Sequence, residues 1–240
     1  FLVEDADRTL KHFSKLRPSD ERLAAMSARY GMEVRRMCDV LEAPPLALAA
    51  ICSSAALMSA FATTDRDASG KFFNRTIDTD GKYYQTYGFF EVEAKLPKGK
   101  GTWPAFWLFN HIGTRRPEID IMEAYAGGGV ASGWSDSNLH PTAYAPTIWL
   151  DASRLGGTKT IQTGDLSTGF HKYALKWEPN KQTFYFDGRE VFSANVTMAD
   201  PMYIMLDLWY GSASGQPDST TPTGTGNSYQ VNYVRAWKFK

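Results

Sequence analysis

The stretch R-P-E-I-D-I-M-E-A-Y, residues 116–125, decides how this chain is read. It interleaves three acids, Glu118, Asp120 and Glu123, with Ile119, Ile121 and Met122. Side chains of a β-strand alternate between faces, so Glu118 and Asp120 share one face while Ile119 and Ile121 take the other. Glu123 has the wrong parity and would point to the isoleucine side. One extra residue, a β-bulge placed near Met122, moves everything beyond it to the opposite face. Glu123 then joins Glu118 and Asp120 on a single concave surface.

Three acids on one face suit one chemistry. Glu118 and Glu123 stand about four strand steps apart, on the order of 13 Å between backbones. Two glutamates leaning together close this to the roughly 5–5.5 Å of a retaining glycosidase, where one carboxylate attacks the anomeric carbon and the other protonates the leaving oxygen. An acid between them hydrogen-bonds the nucleophile and holds the proton balance of the trio.

The flanking segments read as strands. Residues 90–96 (F-E-V-E-A-K-L) alternate cleanly, 97–101 (P-K-G-K-G) form a turn, and Trp103 to Phe109 is an aromatic, buried strand. Further strands are expected at Tyr173 to Trp177, Thr183 to Phe186, Tyr203 to Trp209 and Val231 to Trp237, with a hairpin turn at Asp187-Gly188. Many short strands joined by Gly- and Pro-rich turns predict an all-β protein, a jelly-roll sandwich of two antiparallel sheets. Residues 211–228 read as a low-complexity loop. The N-terminal part differs. Leu23, Met26, Tyr30, Val34, Met37 and Leu41 form a helical stripe after Ser19, ended by Pro44-Pro45, and residues 46–64 suggest two short buried strands. The whole of 1–240 is expected to be one catalytic domain, with 1–44 atypical.

Bulk properties exclude some classes. Lys plus Arg number 26 and Asp plus Glu number 26, so the net charge is zero and neither nucleic acid nor an anionic membrane is the expected partner. Nothing approaches the apolar length of a membrane span. Two cysteines, Cys38 and Cys52, make no C-x-x-C pattern, and whether they pair is open. Seven Trp and twelve Tyr are what a sugar-binding surface needs, although many belong to the core.

E-I-D-I-M-E resembles the signature of glycoside hydrolase family 16, in the bulged form of laminarinases, agarases and carrageenases; lichenases have one residue fewer before the last Glu. Similar segments follow in the family's order: Y-G-F-F-E-V-E-A-K-L-P at 87–97, G-T-W-P-A-F-W-L at 101–108, F-H-K-Y-A-L-K-W-E-P at 170–179, F-Y-F-D-G-R-E-V at 184–191 and V-N-Y-V-R-A-W at 231–237. The resemblance covers roughly residues 84–240. It implies a substrate cleft across the concave sheet and a retaining endo-β-glycanase acting on β-1,3- or mixed β-1,3/1,4-glucan. Glu118 is similar to the nucleophile, Glu123 to the acid/base and Asp120 to the assisting acid. Glu123 must carry a proton at working pH, so Asp120 and Glu118 are expected to raise its pKa.

The same resemblance implies Trp103 and Trp107 at the cleft floor and His140 on the strand after the acidic one, facing the cleft. Trp209 and Tyr210 are expected along the cleft edge, with Trp134, Tyr144 and Trp149 at distal subsites and Trp177 in the core. Asp207 stands where the lichenase branch carries Asn, and is read either as a sugar ligand or as the partner of a buried donor. No cofactor is required. A structural calcium on the convex face would use a last-strand carboxylate, but the matching residue here is Asn232, a weaker ligand for a hard cation. Ser212 to Gln216 stands where laminarinases carry a Trp, which points away from plain β-1,3-glucan. The expected protein is a secreted monomer whose partner is a polysaccharide. Within the class, a depolymerase of a bacterial exopolysaccharide or a galactan is the rival. Outside it, a non-catalytic carbohydrate-binding jelly roll would lack an active-site acid, and here all three are present.

Overall fold

The computed structural model describes residues 63–110, 117–126, 140–211 and 214–239. The helical stripe expected at 23–41 and nearly all of the apolar segment 46–64 lie outside them. In chain order the strands are β1 (Thr63–Thr64), β2 (Arg75–Asp78), β3 (Gly88–Lys95), β4 (Thr102–Asn110) and β5 (Glu118–Glu123). They continue with β6 (Ala143–Trp149), β7 (Leu155–Thr158), β8 (Ile161–Gln162), β9 (His171–Glu178) and β10 (Lys181–Phe186). The last four are β11 (Arg189–Ala194), β12 (Met202–Tyr210), β13 (Gly224–Ser228) and β14 (Gln230–Trp237).

Two antiparallel sheets carry the fold. One runs β2-β12-β4-β5-β6-β7, with β8 paired to β6; the other runs β11-β10-β9-β3-β14. This is the expected all-β jelly-roll sandwich, and no α-helix occurs among the described residues. Each strand expected from residue 90 onward is present, longer by one to three residues than its alternation showed. The supposed loop at 211–228 is not all loop, because β13 pairs with β1. Its G-T-G-N-S sequence has no apolar alternation, so a strand there leaves no trace in the pattern.

The core is the seam between the sheets. Phe90 and Val92 of β3, Phe106 and Leu108 of β4, and Leu175 and Trp177 of β9 are all fully buried in it. Burying side chains of this size stabilises by about 1.5–3 kcal/mol each. Two turns depend on backbone freedom. Asp187 and Gly188 both have positive φ (47° and 76°), the two-residue hairpin geometry that joins β10 to β11. Gly88 opens β3 at φ 121°, where a Cβ would stand 2.1 Å from the Trp237 carbonyl oxygen, so only glycine fits.

Candidate active site

The central strand of the concave sheet is β5, held between β4 and β6. Against β4 the register runs Glu118 to Phe109, Ile119 to Leu108 and Asp120 to Trp107, then slips, with Met122 opposite Phe106 and Glu123 opposite Ala105. Ile121 is the extra residue. The bulge therefore sits one position earlier than the sequence alone suggested. Its physical basis is plain: Ile119, Ile121 and Met122 are all buried, so two consecutive apolar residues enter the core and the backbone yields one residue to let them.

Cross-strand neighbours share a face, so the pairings map the cleft floor in rows. One row is Thr76, Asp207, Ala105, Glu123 and Ala145. The next is Asp78, Met205, Trp107, Asp120 and Thr147. A third is Tyr203, Phe109, Glu118 and Trp149. The three acids stand on one face, as the bulge requires. Asp120 is buried, with 3 % of its surface exposed, while Glu118 and Glu123 are half-buried.

Glu123 has a built environment. The Trp103 indole Nε1–H donates to Glu123 Oε1 at 3.1 Å. Tyr125 and Asp120 also hydrogen-bond its carboxyl. Its pKa is raised to about 7, first by burial and further by the charge of Glu118, while the bonds from Tyr125, Trp103 and Asp120 pull the other way. The expected direction is present, but its main cause is desolvation, and Asp120 opposes rather than adds to it. Among the described residues, none of the groups that act most strongly on Glu123 is a cation.

Around the acids the tryptophans fall as follows. Trp103 and Trp107 share the concave face because β4 pairs with β12 without interruption. Trp209 lies opposite Trp103, edge-on with ring centroids 5.7 Å apart, and 37 % of its surface is exposed. Trp149 stands directly across β6 from Glu118. Trp177 is core, and so is Tyr144, whose ring packs edge-on against Tyr173. Trp134 lies outside the described residues.

Three expectations are corrected, the first being Tyr144, which is core and not a distal subsite. Tyr210 follows Trp209 on a regular strand, so it turns to the other face and packs against the core, its ring tilted against that of Phe72 with centroids 5.0 Å apart. His140 is not on the strand beside β5: it precedes β6 by three residues, and its backbone N–H donates to the Ala126 carbonyl at 3.1 Å. The concave position next to Asp120 belongs to Thr147, whose hydroxyl pairs with that of Thr158 at 3.0 Å. Tyr125 was missed altogether. It shares the parity of Glu123 beyond the bulge, and that parity was the signal available for it.

On the convex face Asn232 Nδ2 donates to Glu93 Oε2 at 3.1 Å. Among the described residues no group of three or more His, Cys, Asp or Glu is placed to hold a metal ion.

Comparison with known proteins agrees with this geometry. The family model described as Glycosyl hydrolases family 16 matches residues 57–235. The endo-1,3-1,4-beta-glycanase EglC of Rhizobium meliloti is 31% identical over 163 residues, 67% of this chain and 32% of its own length. A beta-glucanase of Rhodothermus marinus is 28% identical over 190 residues, 70% of this chain and 63% of its own. The chain thus spans about a third of the first relative and less than two thirds of the second. The laminarinase catalytic domain of Thermotoga maritima superposes with a TM-score of 0.58 at 24% identity, covering 75% of each chain, which shows a common fold.

Proposed function

We propose that this chain, which belongs to glycosyl hydrolases family 16, is a retaining, endo-acting β-glycanase whose substrate is β-1,3- or mixed β-1,3/1,4-glucan. The observation that carries the reading is the bulge at Ile121, which sets Glu118, Asp120 and Glu123 on one concave face. The names of the two relatives, a 1,3-1,4-beta-glycanase and a beta-glucanase, support the choice of glucan.

The residues divide the work by environment. Glu118 attacks the anomeric carbon and forms a glycosyl ester as the bond to the leaving oxygen breaks. Glu123, held protonated up to about pH 7, gives its proton to that oxygen. In the second half, Glu123 as carboxylate takes a proton from water, whose oxygen displaces Glu118 and restores the starting configuration. Asp120, beside both, hydrogen-bonds the carboxyls and steadies their shared proton. Trp103 and Trp107 offer flat rings to sugar faces, and Trp149 does the same beside Glu118. An extended polymer crossing an open sheet face suits internal cleavage. A substrate too large to enter a cell places the enzyme outside it.

The test is reducing-sugar release from laminarin, barley glucan, agarose, carrageenan and a succinoglycan-type gum, with wild type and Glu118→Gln side by side. Release from one of the two glucans, lost in the variant and giving the β-anomer first by NMR, is the expected result. Release only from agarose or the gum would move the substrate to a galactan or an exopolysaccharide. Retention on a polymer without any release would favour the binding-module reading.

A further inference from the structure

Asp207 is a carboxylate on the cleft floor that the proposed reaction does not use. It lies on β12, one strand away from Ala105 and two away from Glu123, and is buried, with 4 % of its surface exposed. The Trp107 indole Nε1–H donates to its Oδ2 at 2.8 Å. Its cross-strand neighbour on the other side is Thr76, whose hydroxyl favours the charged form, while the buried Oδ1 completes no hydrogen bond. Thr76 Oγ1 in turn accepts from the Trp209 Nε1–H at 3.0 Å. A hydroxyl that accepts from an indole keeps its own proton free to give, and the neighbouring carboxylate is where that proton can go.

We propose that Asp207 is a positioning residue for substrate binding: its carboxylate holds the Trp107 indole directly and the Trp209 indole through Thr76, so that one buried acid sets two aromatic platforms of the cleft. The inference rests on the glycanase reading for its substrate, but the anchoring itself does not. An indole ring has one polar atom, and fixing it fixes the plane against which a sugar face stacks. A carboxylate accepts from both sides at once, whereas an amide or a protonated acid has one oxygen fully available as an acceptor. Burial raises the Asp207 pKa to about 6, with Trp107 and Thr76 opposing and Asp78 adding to it. The other titratable groups facing it are Tyr203 and Tyr229, both kept neutral by burial, and Glu123 across Ala105. Below about pH 6 the anchor is therefore protonated, and both platforms loosen together.

The experiment has a spectroscopic arm and a kinetic arm. Tryptophan emission and near-UV dichroism of the full chain are titrated from pH 4.5 to 8 for wild type, Asp207→Asn, Asp207→Ala and Thr76→Val. Besides the change near pH 7 that Glu123 imposes on Trp103 in every variant, a transition near pH 6 is expected in wild type, absent in both Asp207 variants and moved to higher pH in Thr76→Val, which loses a contact favouring the charged form. On barley glucan, Asp207→Ala should raise KM about tenfold and Thr76→Val about threefold, each with kcat changed less than threefold. A component near pH 6 that survives in Asp207→Asn, or KM unchanged in Asp207→Ala, overturns the proposal. Absence of any glucan hydrolysis by wild type would count against the glycanase reading alone, with the spectroscopic arm still deciding the anchor. If the Asp207 variants fail to fold, the midpoint shift in Thr76→Val decides it.

Discussion

Strands β3 and β5 both alternate acids with apolar residues and do opposite things with them. In β3, F-E-V-E-A-K alternates without a break, and Glu91 and Glu93 both project from the convex face. In β5, E-I-D-I-M-E breaks its period at Ile121 and gathers three acids over the cleft. Their surroundings differ as much. Glu91 is buried, which raises its pKa, but it accepts from the Tyr233 hydroxyl at 2.8 Å and feels Lys172 and Arg235. Arg235 also lies over the Tyr233 ring at 3.8 Å. Glu123 is raised by burial too, yet its neighbours are neutral donors and other acids. Buried acids surrounded by cations are structural, whereas buried acids surrounded by acids keep a proton available for chemistry.

The largest expected difference is between matched glutamine variants. Glu118→Gln should lower kcat/KM by on the order of a thousandfold or more, since a nucleophile has no substitute. Glu91→Gln should leave kcat/KM within twofold and cost about 1 kcal/mol of stability, seen in a urea melt. Equal losses of activity in the two variants would break the contrast between the strands.

The bulge comes next. Deleting Ile121 leaves E-I-D-M-E, a plain period of two that still puts all three acids on one face. That variant should keep its circular dichroism and lose roughly tenfold to a hundredfold in activity, the scale of a misplacement of about 1 Å. Inserting one alanine between Met122 and Glu123 turns Glu123 into the core and should abolish activity along with much of the stability. If deletion proved as damaging as insertion, face-sharing would not be what the bulge is for.

How far the sequence shows this contrast depends on which interaction sets each feature. Alternation and the odd parity of Glu123 are local, so the acids and the strands around them were legible, and the bulge was placed within one residue. The facing of Trp103, Trp107 and Trp209 was expected from the family resemblance, although an unbroken strand periodicity would also set Trp103 and Trp107 together. Tyr210 was misplaced by setting that periodicity aside for a resemblance. Strand β13 was not legible because a G-T-G-N-S strand owes its existence to its partner, not its own pattern. Nor was the weight of burial over charge at Glu123, because desolvation depends on everything packed around a group. The line from Trp107 through Asp207 and Thr76 to Trp209 joins residues a hundred or more positions apart in the chain.

Stability against pH sharpens the comparison further. The folded chain keeps the Glu123 proton up to about pH 7, whereas an unfolded glutamate releases it near 4.5. Between those values the unfolded state has lost a proton that the folded state retains, so stability falls as pH rises across that window. Glu123→Gln has no such proton and escapes the fall. Its melting temperature should gain on wild type by roughly 3–6 °C between pH 4.5 and 7.5, allowing for the partial exposure of the group.

The smallest effect tests the donors around Glu123. Tyr125 hydrogen-bonds the carboxyl and lowers its pKa, acting against burial. Tyr125→Phe removes that bond and keeps the ring beside Trp103, whose centroid lies 5.9 Å away. The charged form loses a donor, so the pKa should rise by about one unit. The alkaline limb of the kcat/KM profile reports deprotonation of the free enzyme's acid, and it should move up by the same amount. A limb that moved down would mean that water enters where the hydroxyl stood and relieves the desolvation. Glu123 would then owe its proton to the tightness of this one contact, and the dry packing of β5 would matter less than the acids beside it.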